Sequence, residues 1–232
     1  MIEIVNLSVE YGVSGQRSAL SEVNLAIAAA ERVALIGANG AGKSTLLLAI
    51  CGAIPASSGS VSIDGLPWTK REKDNPHGKA GLVFQNPDDQ LFMPTVYEDI
   101  AFGLRSNNVS VVETDKRMEE MLTRLEIAHL KDRMCHTLSG GEKRLAALAG
   151  VLVMRPDYLL LDEPASFLDP RAKRRFVALL DSLAQGFILA THDMDIAARL
   201  CSRVIILKEG KVFADGGTGL LDNEALMDQA GL

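Results

Sequence analysis

Two kinds of hydrophobic pattern occur along this chain. Apolar and polar residues alternate in "IVNLSVEYG" (4–12) and "EVNLAIA" (22–28), which predicts two half-buried antiparallel strands, and "SGSVSIDG" (58–65) predicts a short third strand between turn residues. Uninterrupted apolar runs are instead typical of central parallel strands that are covered on both faces. The chain has four such runs: "RVALIG" (32–37), "GLVFQ" (81–85), "YLLLD" (158–162) and "FILAT" (187–191).

The order of these patterns predicts an α/β fold. Helical periodicity follows three of the four apolar runs, which is the order of βαβ units around a mostly parallel sheet. "RVIILKEGKVFADG" (203–216) predicts a hairpin with Glu209-Gly210 at its turn. Residues 86–150 show helical periodicity without a strand. We therefore predict one domain, with residues 1–85 and 151–232 forming the α/β core and its antiparallel β part, and 86–150 forming an inserted helical subdomain.

Composition narrows the classes of partner. The chain has 232 residues and a formal net charge of −6, which argues against nucleic acid as its main partner. Its three cysteines are far apart and lack CxxC spacing, as expected of reduced thiols in a cytosolic protein. The longest apolar runs, 46–56 and 145–154, are shorter than the ~20 residues that cross a bilayer. No membrane-spanning segment is predicted.

The stretch "GANGAGKST" (Gly37–Thr45), hereafter the phosphate loop, fits the pattern G-x-x-x-x-G-K-[ST] between a predicted strand and a predicted helix. Its glycines allow successive backbone N–H groups to point into one concavity, and the helix that follows adds its positive end. Lys43 can then reach the β- and γ-phosphates of a nucleotide, and the Ser44 hydroxyl can ligate Mg²⁺. A glycine-rich turn that binds nothing is the alternative, and it explains the flanking strand and helix less well.

A pair of acidic residues ends the run "YLLLDEP" (158–164), at a position where ligands of open α/β sheets collect. We expect Asp162 to hold Mg²⁺, usually through water, and Glu163 to orient or deprotonate the attacking water. Two solvated acids at a strand end are the alternative. The upstream phosphate loop favours the functional interpretation.

A second helix start suited to an anion lies in "TLSGGEKRL" (137–145). The LSGGE segment (Leu138–Glu142), placed between the phosphate loop and "LLLDEP", resembles the nucleotide-binding subunits of ABC transporters. The resemblance covers almost the whole chain and implies a P-loop ABC ATPase core. It includes Gln85 near a strand end, Asp169 in "SFLDP", His192 in "ATHD" and Tyr11, an aromatic residue where the family stacks adenine.

The resemblance implies ATP and Mg²⁺ as cofactors and a head-to-tail pair of ATPase chains. Each ATP would lie between the phosphate loop of one chain and the LSGGE segment of the other. The implied catalytic residues are Glu163, His192 and Gln85, and the implied metal ligands are Ser44, Gln85 and Asp162. The implied nucleotide-binding residues are Tyr11, Gly37, Asn39, Gly40, Ala41, Gly42, Lys43, Ser44, Thr45, Ser139, Gly140, Gly141 and Asp169.

Two further stretches narrow the resemblance. "QNPDDQLF" (85–92) followed by "TVYEDIAFG" (95–103), together with Ala149-Gly150, is similar to the ATPases of energy-coupling factor transporters, including cobalt and nickel importers. The implied partners are a second ATPase subunit, identical or related, a transmembrane scaffold protein and a separate substrate-binding membrane protein. The implied location is peripheral, on the cytoplasmic face of the cell membrane. Cobalt or nickel is the preferred cargo, and a vitamin such as biotin is the alternative.

Other ABC classes fit the sequence less well. A DNA-repair or chromosome-type ATPase needs a long coiled coil between Gln85 and Ser139, and a translation-factor ABC protein has two nucleotide domains in one chain. A non-catalytic regulatory subunit is disfavoured by the presence of Lys43, Glu163 and His192. One departure from the family is "EPASFLD", in which Phe167 occupies a position that is normally small and lies at the dimer seam.

Overall fold

The computed structural model describes residues 1–12, 17–68 and 78–232, with only the backbone of Arg17. In chain order its strands and helices are β1 (Ile2–Tyr11), β2 (Arg17–Ile27), β3 (Arg32–Ile36), α1 (Lys43–Ile50), β4 (Ser58–Ile63), β5 (Leu66–Pro67), β6 (Ala80–Val83), α2 (Val96–Ser106), α3 (Val111–Arg124), α4 (Gly140–Leu152), β7 (Tyr158–Asp162), α5 (Pro170–Asp181), β8 (Phe187–Ala190), α6 (Met194–Leu200), β9 (Arg203–Lys208), β10 (Lys211–Gly217) and α7 (Glu224–Ala230). Short 3-10 helices lie at Pro87–Asp89, Ala128–Leu130, Cys135–Thr137 and Thr218–Asp222.

The N-terminal alternation forms an antiparallel sheet, as predicted. Its order is β2-β1-β4-β5, and β1 pairs antiparallel with both β2 and β4. Every second side chain at the start of β1 is buried, beginning with Ile2 and Ile4. The two-residue strand β5 was not predicted, because so short a segment carries no periodicity.

The four apolar runs form strands of a second sheet, as predicted. Its order is β10-β9-β3-β8-β7-β6, and β3 pairs parallel with both β8 and β9. All residues of β7 and β8 are buried, which explains their unbroken apolar sequence. The β9–β10 hairpin turns at Glu209 and Gly210 with φ of 50° and 76°, so the predicted turn is also found.

The chain forms two compact units, and each is described by itself. The first, hereafter the core unit, comprises Met1–Leu82, Asp157–Glu163 and Ala184–Leu232; the second, hereafter the helical unit, comprises Val83–Pro156 and Pro164–Leu183. The division of the sequence into 1–85 with 151–232 and 86–150 stays a prediction. The compact units differ from it in that 83–85, 151–156 and 164–183 belong to the helical unit. Periodicity marks α5 as amphipathic but does not identify what covers its apolar face.

Helix starts in the helical unit are fixed by side chains of the sequence. α2 begins with a capping box between Thr95 and Glu98, α3 is capped by Ser110, and α5 is capped by Asp169 with Pro170 in its first turn. No helix of the described residues has the length and apolar character that crossing a bilayer requires.

Candidate nucleotide site

The phosphate loop has the backbone conformation that its glycines permit. Gly40 and Gly42 adopt φ of 82° and 106°, a region that other residues rarely occupy. At Gly37 an added Cβ would lie 2.5 Å from the backbone oxygen of Leu207, so only glycine fits against the neighbouring strand. Gly42 precedes α1 without any side-chain capping bond. Among the described residues, the first turn of α1 is therefore not capped by the side chain of its N-cap residue, as in helix starts that bind phosphate.

Lys43 lies at the start of α1 and is buried, with 8% of its surface exposed. Its ammonium donates hydrogen bonds to the backbone oxygens of Gly37 at 2.7 Å and Ala38 at 3.2 Å. Burial lowers the pKa of Lys43, while the carboxylates of Glu163 and Asp162 raise it. The lysine is thus a cation held over the loop, close enough to two acids to interact with them electrostatically.

The end of β7 supplies an arrangement that fits Mg²⁺. The side chain of Asp162 is hydrogen-bonded with Ser44, and its Oδ1 is buried without a hydrogen-bond partner among the described residues. Burial raises the pKa of Asp162, and the neighbouring Glu163 carboxylate adds to that effect. A cation would satisfy the unpartnered oxygen and favour the charged carboxylate. Hydroxyl and carboxylate oxygens are ligands that Mg²⁺ prefers, so these residues fit the ion.

Glu163 is paired with His192 in the same region. The Nδ1 of His192 lies 2.9 Å from Oε2 of Glu163; the histidine side chain is 71% exposed, whereas that of Glu163 is 10% exposed. The backbone N–H of Glu163 donates to the oxygen of Ala190, and Glu163 adopts a positive φ of 46°. This sharp turn directly after β7 aims the carboxylate at the histidine. The contact with the imidazole can hold the Glu163 carboxylate in one orientation, which suits a group that accepts a proton.

Strand register explains why these residues meet. Asp162 pairs with Ala190, and Leu35 also pairs with Ala190, so the ends of β7, β8 and β3 lie side by side. The phosphate loop, the two acids and His192 follow those three ends directly. The core unit therefore brings together Lys43, Ser44, Asp162, Glu163 and His192, to which the sequence assigns contacts with phosphate, metal and water. Their roles remain predictions.

Tyr11 ends β1, beside the start of α1. Its hydroxyl lies 3.4 Å from Oγ1 of Thr45, and 41% of the residue is exposed. An exposed ring near the phosphate loop can stack on a base. The adenine-binding role of Tyr11 is compatible with this position and stays a prediction.

The LSGGE segment begins α4 in the helical unit. Oγ of Ser139 accepts from the N–H of Glu142 at 3.4 Å, and the Glu142 carboxylate accepts from the N–H of Ser139 at 2.7 Å. These bonds form a capping box, which the S-x-x-E spacing announces and which the sequence analysis missed. The Ser139 N–H holds the pKa of Glu142 below its usual range. Gly140 and Gly141 form the first turn of the helix.

A cavity of about 700 Å³ adjoins the same segment in the helical unit. Ser139, Gly140, Gly141 and Asp169 all line it, so four of the predicted nucleotide-binding residues share one surface. Asp169 also accepts from the N–H groups of Arg171 and Ala172, which lowers its pKa.

Phe167 lines that cavity too, and its conformation is unusual for an aromatic residue. It is 93% exposed and adopts a positive φ of 64°. The positive φ carries a free-energy cost for a bulky side chain, and the exposed ring stands at the edge of the cavity.

Gln85 also belongs to the helical unit. It lies two residues after the end of β6, and it is exposed. The predicted roles of Gln85, Ser139, Gly140, Gly141 and Asp169 toward the nucleotide stay predictions.

Sequence reasoning missed the residues whose side chains hold the backbone of the segments that carry predicted site residues. Thr191 is buried, and its Oγ1 accepts from the N–H of Asp193, which fixes the turn around His192. Arg144 and Gln90 form hydrogen bonds to backbone groups inside the helical unit, and neither residue belongs to a recognisable short motif. Their signals are single polar residues at otherwise apolar or solvent-facing positions, which no spacing rule identifies.

Comparison with known proteins agrees with this geometry. Residues 20–166 match the family model described as ABC transporter. The energy-coupling factor transporter ATP-binding protein EcfA of Carboxydothermus hydrogenoformans is 40% identical over 234 residues, which cover 100% of this chain and 86% of that protein. The cobalt import ATP-binding protein CbiO of Rhodobacter capsulatus is 42% identical over 228 residues, which cover 96% of this chain and 81% of that protein.

Two solved structures share the fold. CbiO1 of Clostridium perfringens, described as part of the ABC transporter complex cbiONQ, matches with a TM-score of 0.83 and 37% identity, over 98% of this chain and 92% of that chain. The ATP-binding cassette MJ0796, a dimer in a post-hydrolysis state bound to ADP and Pi, matches with a TM-score of 0.83 and 28% identity, over 94% of this chain and 99% of that chain. The chain thus belongs to the ABC transporter ATP-binding family, as an ATPase of the energy-coupling factor and CbiO type.

Proposed function

We propose that this chain hydrolyses Mg²⁺–ATP to power an importer of the energy-coupling factor type, that it works in a pair of ATPase chains, and that the cargo is cobalt. The observation that carries the proposal is the meeting of the phosphate loop, Asp162, Glu163 and His192 at three adjacent strand ends of the core unit. The arrangement supplies a phosphate cradle, metal ligands and a proton acceptor, which are the parts that phosphoryl transfer to water needs.

Each of the chain's residues then has a stated task. The amides at the start of α1 and the Lys43 ammonium hold the β- and γ-phosphates. Ser44 and Asp162 would hold Mg²⁺, which when bound neutralises phosphate charge; Gln85 is proposed as a further ligand from the family resemblance alone. Glu163 orients the attacking water and takes up its proton, while His192 holds the Glu163 carboxylate and contacts the γ-phosphate.

The pair is proposed from the placement of the LSGGE segment. The core unit already contains one phosphate-binding helix start, and the start of α4, in the helical unit, is a second one. The dimeric relative MJ0796 supports a second ATPase chain, identical or related, as the partner whose nucleotide the LSGGE segment contacts.

The membrane partner is proposed to be a transmembrane scaffold protein, to which a separate substrate-binding membrane protein is attached; the chain would lie on the cytoplasmic face of the cell membrane. Support comes from exposed aromatic residues that follow the Gln85 region. Phe92 and Phe102 are 64% and 45% exposed and pack edge to face with ring centroids 4.9 Å apart. Such a pair of rings is suited to an apolar segment of a partner.

Cobalt is proposed as cargo because the CbiO relative is named for cobalt import. The test is uptake of radiolabelled Co²⁺ into cells or vesicles that contain this chain with its membrane partners, using Ni²⁺ and biotin as competitors. We expect ATP-dependent Co²⁺ uptake that Lys43→Ala abolishes. Uptake of biotin but not Co²⁺ would replace the cargo, whereas ATP hydrolysis that is indifferent to any membrane partner would favour a non-transport ATPase.

A further inference from the structure

We propose that Gln90 is a positioning residue that fastens the Gln85 segment (Phe84–Gln90) to the middle of α4, so that the Gln85 segment and the LSGGE segment move together. The attachment lies wholly within the helical unit. Its link to nucleotide rests on the proposed function, but the attachment itself does not.

The side-chain amide of Gln90 uses both of its ends. Its Oε1 accepts from the N–H of Phe84 at 3.1 Å, and its Nε2 donates to the backbone oxygen of Ala147 at 2.9 Å. Ala147 lies inside α4, where its oxygen also serves the helix, so the bond from Gln90 uses the second lone pair of that carbonyl. One residue thus closes the Gln85 segment on itself and binds it to the helix.

Arg144 makes a second attachment at the same place. Its Nη1 donates to the backbone oxygen of Phe84 at 2.9 Å, so both backbone groups of Phe84 are held, one by Gln90 and one by α4 itself. The guanidinium is 2% exposed and has no carboxylate partner among the described residues, and burial lowers its pKa. Burying a charge without a carboxylate partner has a free-energy cost, and the hydrogen bonds of Arg144 to backbone oxygens offset part of it.

The same guanidinium reaches a third segment. Its Nη2 donates to the backbone oxygen of Ser166 at 3.3 Å, directly before the exposed Phe167. The Gln85 segment, α4 and the stretch that leads to Asp169 are therefore joined at one buried point.

An ion pair outside this point adds little. Lys143 lies 2.5 Å from Asp88, but the Asp88 side chain is 61% exposed. Exposed pairs of this kind contribute only weakly because water and salt screen them. The bonds of Gln90 and Arg144 therefore carry the attachment.

The rigidity of α4 connects the bond at Ala147 to the LSGGE segment at the start of the helix. Ala147 lies seven residues after Gly140, roughly 10 Å along a rigid helix. A displacement of the Gln85 segment is then passed through Gln90 to the start of α4, where Ser139, Gly140 and Gly141 lie. Without Gln90 the Gln85 segment keeps only the Arg144 bond from the interior of α4, so the two segments should move more independently.

The experiment measures amide hydrogen exchange of the intact chain at the Gln85 segment and at residues 138–146, with and without a non-hydrolysable ATP analogue, at a dilution where size-exclusion chromatography shows single chains. In the unmodified chain we expect the analogue to slow exchange in both segments. In Gln90→Leu we expect the Phe84 amide to exchange about tenfold faster without nucleotide, as the loss of one hydrogen bond implies. The analogue should bind with unchanged affinity, yet it should protect 138–146 together with the Gln85 segment much less than in the unmodified chain, because only the Arg144 bond to Phe84 remains.

Two further variants make the result specific. Gln90→Glu keeps the acceptor for Phe84 but replaces the donor to Ala147 by an oxygen, so it should retain the slow Phe84 amide while separating the two segments. Asp89→Asn is the matched control, because the Asp89 carboxylate makes no bond to α4 among the described residues; it should behave as the unmodified chain.

Protection of both segments together in Gln90→Leu and in Gln90→Glu would overturn the proposal. Failure of the unmodified chain to bind the analogue would instead refute the proposed function. The attachment would still be decided without nucleotide, by whether exchange at the Gln85 segment and at 138–146 is faster in Gln90→Glu than in the unmodified chain. If Gln90→Leu did not fold, Gln90→Glu alone would give the same decision.

Discussion

Two helices of this chain, α1 and α4, have glycines at or directly before their first turns, but the N–H groups of these turns are satisfied differently. Gly42 precedes α1 with no side-chain capping bond. Ser139 precedes α4 in a capping box in which the Glu142 carboxylate accepts the Ser139 N–H at 2.7 Å. An uncapped helix start is open to an external anion, whereas a capped one has part of its hydrogen-bonding capacity already satisfied.

Charge strengthens the contrast. α1 begins with the buried cation Lys43, which attracts phosphate, whereas the first turn of α4 contains the anion Glu142. We infer that the start of α1 can hold a nucleotide by itself. The start of α4 is suited to contact a nucleotide that another chain already holds. The predictions below test this contrast, from the largest expected effect to the smallest.

The strongest test removes the cation of α1. Lys43→Ala should nearly abolish ATP hydrolysis and sharply weaken nucleotide binding, because the phosphate loop loses its ammonium at the β- and γ-phosphates. Binding of a labelled ATP analogue and release of phosphate are the measurements. Near-normal turnover would remove the assignment of this loop.

The second test separates binding from chemistry at the same strand ends. Glu163→Gln keeps size and hydrogen bonding to His192 but removes the charge, so hydrolysis should slow by roughly 10²–10⁴ while ATP binding survives. With ATP and Mg²⁺ the variant should form a closed dimer that size-exclusion chromatography detects. Only monomer, or unchanged turnover, would refute the role of Glu163.

His192→Ala is the companion variant. It removes the 2.9 Å contact to Glu163, and with it the contact to the γ-phosphate that we propose. Turnover should fall to a similar extent, but the trapped dimer should be less stable than that of Glu163→Gln. An equally stable dimer would show that His192 orients Glu163 without contacting the nucleotide.

The core unit was the part of the fold that the sequence predicted best. β7 and β8 are buried on both faces, so their apolar runs alone identify them, and the phosphate loop combines a motif with its strand and helix. Residues at the ends of parallel strands meet wherever those strands are neighbours. That is why Asp162, Glu163 and His192 could be grouped before their distances were known.

The helical unit was predicted less completely, for a physical reason. Its helices are visible from periodicity and capping, but the residues that join them act through backbone carbonyls, as Arg144 does at Phe84 and Ser166. Every residue has a carbonyl, so no residue type in the partner segment announces such a bond. The grouping of α5 with this unit escaped the sequence analysis for the same reason, since an amphipathic face does not identify its partner.

The third prediction breaks the contrast at α4. Ser139→Arg should leave single-chain nucleotide binding largely intact, because Ser139 lies in the helical unit and we propose that the start of α1, in the core unit, holds the phosphates. It should block ATP-induced pairing and hydrolysis by filling the surface that faces the partner's nucleotide. The measurements are size-exclusion chromatography with ATP, which reports pairing, and binding of a labelled ATP analogue to the single chain. A loss of single-chain binding as large as the loss of pairing would mean that both helix starts contact one nucleotide.

The last prediction concerns the anion in the first turn of α4. Glu142→Gln keeps an oxygen that can accept the Ser139 N–H but removes the negative charge, so phosphate should be repelled less. ATP-induced pairing at neutral pH should strengthen by about two- to fivefold, the effect of one charge at a helix end. Glu119→Gln, an exposed acid of α3, is the matched control and should leave pairing unchanged.

The same variant predicts a pH dependence whose sign is fixed by the capping box. The pKa of Glu142 is lowered in the folded chain because the carboxylate accepts the Ser139 N–H. Its stabilisation of the α4 start is therefore complete above the ordinary glutamate pKa of about 4.3 and is lost as the pH falls through the lower folded value. Exchange of the Ser139 amide, corrected for its intrinsic rate, should lose protection over that acidic range in the unmodified chain and stay flat in Glu142→Gln. Identical pH profiles for the two chains would mean that the capping bond does not depend on the charge, and the contrast between the two helix starts would then rest on Gly42 and Lys43 alone.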